Sequence, residues 1–223
     1  GSLTINNQAS DSYKFRIENN GTFVHNDGTI VLDASTNGGS YKNTGSNGKW
    51  LYNLTVKNDT TSARAIQHVY GVSVANDLIV SGAGSDAASW DVAFYNAGDG
   101  DITASGTATV INGAKLGRNI QDGAFGKLYI YDKGWFDAGA GTTTIDNNIG
   151  GQSIFYLDGG GTFTHNDGTV NILQGTGDPE LTGTAGANPT FYDFNVGFSY
   201  IKIGMTVENS MMTGPVGYGG GAV

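Results

Sequence analysis

Along this 223-residue chain, apolar side chains recur at every second position, but only over short runs of four to six residues. Phe15/Ile17, Leu128/Ile130 and Phe155/Leu157 are such pairs, and Tyr52-Asn-Leu-Thr-Val56 and Gly71-Val-Ser-Val74 carry the same alternation. Each run is closed by Gly, Asn, Asp or Thr. Period two between turn residues predicts short β-strands with one buried face.

The runs also repeat. Gly21-Thr-Phe-Val-His-Asn-Asp-Gly-Thr-Ile30 returns 140 positions later as Gly161-Thr-Phe-Thr-His-Asn-Asp-Gly-Thr-Val170, and nine of the 18 residues in 15–32 are identical to those in 155–172. The same offset places Tyr52-Asn-Leu-Thr-Val56 on Tyr192-Asp-Phe-Asn-Val196. After a seven-residue shortening, Gly71-Val-Ser-Val-Ala-Asn-Asp-Leu78 falls on Gly204-Met-Thr-Val-Glu-Asn-Ser-Met211. This is a duplication. Looser copies begin at Gly100 and Gly134, and Gly134 lies 27 residues before Gly161, the right order for one coil of a β-solenoid.

Units of this kind cannot bury an apolar face alone, and stacking them about 4.8 Å apart makes a continuous core. The expected fold is therefore all-β, a right-handed parallel β-helix. At roughly 25 residues per coil it would have eight or nine rungs and run about 40 Å. Prolines are confined to the last 45 residues, as expected where every strand must donate to a ladder. The expected domain is a single one over 1–213, with repeat copies 13–81 and 153–213 around a divergent middle, 82–152, and a Gly-rich tail or linker over 214–223. The competing fold is an antiparallel β-sandwich, single or double, with a boundary near residue 115 in the double case.

Composition agrees with strands and turns. Gly, Thr, Asn, Asp and Ser supply 113 residues, about half the chain, against three Glu. That excludes a helical bundle or coiled coil and argues against a βαβ fold. Ten Phe, eleven Tyr and three Trp are too many for a disordered tract. The formal net charge of −9 leaves no basic footprint for nucleic acid or for an anionic membrane surface. No apolar run reaches the 18 or so residues of a spanning helix, so membrane insertion is not expected. Cysteine is absent, as is common in bacterial surface and virion proteins.

Candidate chemistry is sparse. His25-Asn26-Asp27-Gly28 and His165-Asn166-Asp167-Gly168 are equivalent repeat positions, and Asn-Asp-Gly is a tight-turn signal, so these residues are read as structural turns. His68, in Ala65-Ile-Gln-His-Val-Tyr70, reads as a surface or cross-strand packing residue. No cofactor is called for. Calcium is the one metal worth naming, because Gly98-Asp-Gly-Asp101 sets Asp99 and Asp101 in one turn. Phe23, Phe136 and Phe163 share a repeat position and are read as core, and Trp50 and Trp135 border repeat strands as structural residues. Trp90, Asp91 and Tyr95 lie in the divergent middle, where an aromatic beside a carboxylate is the usual chemistry of a glycan groove. Paired carboxylates among Asp86, Asp91, Asp99, Asp101, Asp132, Asp137 and Asp158 would serve a glycan-cleaving enzyme if two stood within about 5–9 Å.

The His-Asn-Asp-Gly-Thr turn, the Tyr-Asn-Leu-Thr-Val strand some 20 residues on, and Val72-Ser-Val-Ala-Asn-Asp-Leu-Ile-Val-Ser-Gly82 together resemble the Gly/Thr-rich repeats of long prokaryotic surface proteins. Similar arrays occur in adhesin-like and autotransporter-like passengers and in phage tail fibres and virion appendages. The resemblance covers most of 13–81 and 153–213. It implies an extracellular, cell-surface or virion location and a stiff rod that attaches to a host-surface glycan or protein, with trimeric or end-to-end self-association. A polysaccharide depolymerase and a filament or coat subunit without a ligand are the alternative functions.

Overall fold

The computed structural model describes residues 1–6, 13–17, 23–43, 51–69, 71–84, 90–96, 100–117, 120–146, 153–173, 180–197 and 200–213. Among these residues the only regular structure is β-strand, and every strand pair is parallel. That overturns the antiparallel sandwich and establishes the β-solenoid. Among the described residues no helix is long and apolar enough to cross a membrane.

Among the described residues three flanks make up the central coils, while the first coils have no strand on the third flank and the last have none on the second. The first flank stacks β1 (Ser2–Asn6), β3 (Thr29–Asp33), β5 (Asn53–Lys57), β8 (Leu78–Ser81), the second halves of β10 (Gly100–Ile111) and β12 (Ile120–Ile130), β15 (Ser153–Leu157), β18 (Glu180–Gly183) and β20 (Tyr200–Ile201). The second is a separate sheet of seven strands: β2 (Tyr13–Ile17), β4 (Gly39–Asn43), β6 (Arg64–Val69), β9 (Val92–Asn96), β11 (Ala114–Gly117), β13 (Trp135–Asp137) and β16 (Thr162–Thr164). The third stacks β7 (Val72–Val74), the first halves of β10 and β12, β14 (Thr142–Ile145), β17 (Thr169–Ile172), β19 (Thr190–Val196) and β21 (Thr206–Thr213). Seven strands in the second sheet correspond to about six turns over which both sheets run together.

Alternation decides what faces inward. On the first flank Leu3, Ile30, Leu54, Leu78, Ala108, Leu128, Phe155, Leu181 and Ile201 stand in one register. Ile66, Phe94, Leu116, Phe136 and Phe163 do the same on the second. From Ile30 onward these columns meet inside the coil as one continuous apolar core, while Leu3 on the first strand is 51% exposed. Toward the C-terminal end the core is aromatic, with ring centroids of Phe163, Phe191 and Phe194 separated by 4.9 and 4.5 Å in succession. Phe136 is fully buried and its partner Phe163 packs partly buried against the same core, as does Phe23.

Corners are made by turn chemistry. Asn26 and Asp27 sit at φ 46° and 55°, and Asn166 and Asp167 at 47° and 60°. Two successive positive φ values define a turn that matches strand twist and that Asn, Asp and Gly tolerate best. The Gly28 amide closes the first turn on the His25 carbonyl at 2.8 Å, and Gly168 closes the second on His165 at 3.0 Å. At Gly134 a Cβ would lie 2.2 Å from the Val110 carbonyl oxygen of the coil below, so the coils approach more closely than any side chain allows.

The two sequence copies are structurally the same but lie on different flanks. In the first, Ile30 pairs with Leu54 and Leu54 with Leu78 on the first flank. In the second, Val170 pairs with Phe194 and Phe194 with Met211 on the third. Side-chain ladders repeat too: Asn53 Oδ1 accepts from Asn76 Nδ2 and the Asp77 amide, while Asp193 Oδ1 accepts from Asn209 Nδ2 and the Ser210 amide. The duplicated unit is therefore a corner with its three-rung stack, displaced by one flank. The divergent middle stays in the same ladders, through β9 to β12.

Candidate functional site

The sequence-derived site residues separate in the structure. Asp91 is buried; its carboxylate accepts the Ala83 amide at 3.0 Å, and its carbonyl accepts the Arg64 amide and Asn58 Nδ2, each at 2.8 Å. It ties neighbouring coils together at the entrance to β9. Trp90 is half-buried at the same entrance, and the Tyr95 hydroxyl accepts from Gln67 Nε2 on the adjacent strand β6. Of these three residues, Tyr95 and Trp90 show partly exposed surface and Asp91 does not. Asp99 and Trp50 lie outside the described residues, as does the 214–223 tail. Asp101 is exposed on the third flank, where its Oδ1 accepts the Asp122 amide at 3.3 Å and Asp122 Oδ1 accepts the Thr142 amide at 2.7 Å. Among the described residues no group of three or more His, Asp or Glu side chains is placed to hold an ion.

His68 is not at the surface. It points inward from β6, fully buried and centred 5.1 Å from the Phe94 ring. Burial without compensation pushes its pKa down to about 3. Among the described residues neither ring nitrogen has a hydrogen-bond partner, and its register neighbour Tyr41 is buried with a hydroxyl likewise unpartnered there, whose pKa burial raises to about 12.

Lys115 Nζ lies 2.7 Å from Asp137 Oδ2 and 5.5 Å from the centroid of half-buried Trp135, fastening β11 to β13. Asn166 Nδ2 also donates to Asp137. These contacts give Trp135 a structural place.

A cluster that sequence reading overlooked stands on the outer face of the first flank. Tyr129 and Tyr156 are register partners on β12 and β15, and Thr109 and Thr182 continue the outward column on either side. Tyr131 closes a triangle, with its ring centroid 5.7 Å from that of Tyr129 and 4.9 Å from that of Tyr156, while Tyr129 and Tyr156 are 6.2 Å apart. All three are half-buried. The Tyr129 hydroxyl donates to the Ser153 carbonyl at 2.6 Å, which fixes its ring. Burial raises the pKa of Tyr129, and burial with the nearby Tyr129, Tyr156 and Asp158 charges raises that of Tyr131. Asp158 anchors the neighbouring corner by accepting the Gly160 amide at 3.1 Å. The signal was present in the sequence: Tyr129 and Tyr156 occupy the outward slots inside the inward pairs Leu128/Ile130 and Phe155/Leu157.

Such a shelf offers partly exposed ring faces and edges, three hydroxyl groups and a carboxylate at one rim. Aromatic faces carry negative potential that attracts polarised C–H bonds, and Tyr combines apolar area with a polar tip. Comparison of the chain with protein families, with curated protein sequences and with solved structures finds no match.

Proposed function

We propose that this chain is an attachment and display segment of an extracellular, cell-surface or virion appendage. The solenoid is the stiff support, and the Tyr129/Tyr131/Tyr156 shelf stacks on sugar rings of a host-surface glycan. The shelf carries the reading: three tyrosines in mutual contact on an outer flank, rather than in the core, expose aromatic area that the fold itself does not need. Self-association belongs to the same reading, because parallel ladders leave strand edges that pair with further coils.

A polysaccharide array probed with the purified chain, followed by calorimetry on the best glycan, tests the proposal. Tyr156→Ala, alone and with Tyr131→Ala, is expected to weaken binding at least tenfold while leaving the far-ultraviolet circular dichroism unchanged. Binding that survives both substitutions, or a wild-type chain that binds no polysaccharide, removes the shelf as the site. Release of reducing ends or unsaturated sugars during incubation would replace attachment by cleavage.

A further inference from the structure

The two copies of the duplicated corner differ in two respects that bear on recognition. In both, the histidine Nδ1 accepts the amide of the aspartate two residues on, at 3.0 Å for His25 and Asp27 and at 3.0 Å for His165 and Asp167. An accepting Nδ1 carries no proton, so in each neutral ring the proton is on Nε2. Each imidazole also lies over the tyrosine of the next rung, Tyr52 at 5.5 Å and Tyr192 at 5.9 Å between ring centroids.

In the C-terminal copy a carboxylate faces Nε2, with Glu208 Oε2 3.4 Å away. Glu208 stands on β21 one residue beyond Val207, which pairs with Phe191. The matching residue in the N-terminal copy is one beyond Val74, which bridges to Leu51, and there the chain has Ala75. No acceptor among the described residues meets His25 Nε2. A second exchange lies beside the first: exposed Thr164 before His165 corresponds to Val24 before His25, and Val24 is 69% exposed.

We propose that the N-terminal corner is a binding site for a carboxylate-bearing sugar, a uronate or a related acidic pyranose. The C-terminal corner is the same site closed by its own glutamate. His25 Nε2–H takes the carboxylate, in the place that Glu208 shows a carboxylate to occupy, and Tyr52 with Val24 offers apolar surface for the ring. The chain's negative charge does not forbid this: Asp27 Oδ1 is 3.7 Å from His25 Nδ1, and Asp167 Oδ1 is as near as 3.6 Å to His165 Nδ1, yet Glu208 approaches that ring. None of these residues belongs to the tyrosine shelf, so the two sites stand or fall separately.

The test is a titration of the isotope-labelled full chain with glucuronate, read at the imidazole resonances, with glucose as neutral control and N-acetylglutamate as non-sugar carboxylate. Glucuronate is expected to shift His25 saturably and leave His165 unmoved, glucose to do neither, and N-acetylglutamate to bind more weakly than glucuronate. Ala75→Glu should reduce the His25 response at least tenfold. Glu208→Ala, which alters a half-exposed side chain, should make His165 respond as well, raising the stoichiometry from one to two. That second variant keeps the test open if Ala75→Glu disturbs the coil. A silent His25, a glucose response of equal size, tighter binding of N-acetylglutamate, or a His165 that stays silent in Glu208→Ala would overturn the proposal.

Discussion

Acid should loosen this solenoid through one residue. His68 is fully buried with both ring nitrogens unpartnered, and its pKa is lowered from 6.5 to about 3 by desolvation. A base with a depressed folded pKa holds fewer protons in the folded state than in the unfolded state between those two values. Stability therefore rises with pH across this window; His68 costs nothing by protonation above pH 6.5 and imposes its full penalty below pH 3. At about 1.36 kcal/mol for each pKa unit the complete loss is on the order of 5 kcal/mol, of which about 2 has gone at pH 5 and about 3 at pH 4. Carboxylates also titrate in acid, so the informative quantity is the difference between the wild type and His68→Leu. The variant also removes two unsatisfied buried nitrogens, each of which costs about 1–3 kcal/mol, partly offset by imperfect packing. Urea unfolding followed by tryptophan fluorescence at pH 7, 5 and 4 is the assay. The wild type should lose about 3 kcal/mol more than His68→Leu between pH 7 and 4. Equal losses in the two proteins, or an imidazole resonance that titrates near 6.5 in the folded chain, would refute the reasoning.

Other expectations follow from the same packing. Phe136→Ala empties a fully buried site between Phe125 and Phe163 and should cost about 3–5 kcal/mol in urea unfolding. Gly134→Ala drives a methyl group against the Val110 carbonyl, so coils must part there; thermal unfolding should show a loss larger than that of Phe136→Leu. Asp193→Ala removes a carboxylate whose pKa is lowered chiefly by its bond from the Ser210 hydroxyl, and hydrogen exchange of β21 amides should accelerate while β3 amides keep their protection.

Strands and corners were legible because their physics is local. Alternation placed Ile30, Leu54, Leu78, Leu128 and Phe155 inward, and Asn-Asp-Gly announced turns whose φ values require such residues. The spacing of Gly134 and Gly161 gave the coil directly, since Trp135 pairs with Thr162 and Phe136 with Phe163. Placement of the duplicated copies was not legible. Successive rungs of the first flank are separated by 20 to 30 residues, so an offset of 140 positions does not translate into a number of coils. His68 shares its parity with Ile66 and so faces inward, where it packs across strands against Tyr41 and Phe94; of the two expectations for it, cross-strand packing holds and a surface position does not. Asp91 misled for the opposite reason: a carboxylate beside a tryptophan suggests a ligand, whereas here it satisfies backbone donors between coils. The tyrosine shelf needed two strands and a corner in register, and no single run of sequence contains it.

That the same corner builds equally well on the first flank and on the third has a consequence for how such chains change length. Inserting a segment of one flank, rather than a whole coil, preserves the ladders and re-aims everything downstream to a new azimuth around the axis. Duplication in this architecture thus resembles adding a fraction of a thread to a screw: the pitch is kept while the phase advances. Two copies of one corner can in this way be made to look outward in different directions from a single stack of ladders.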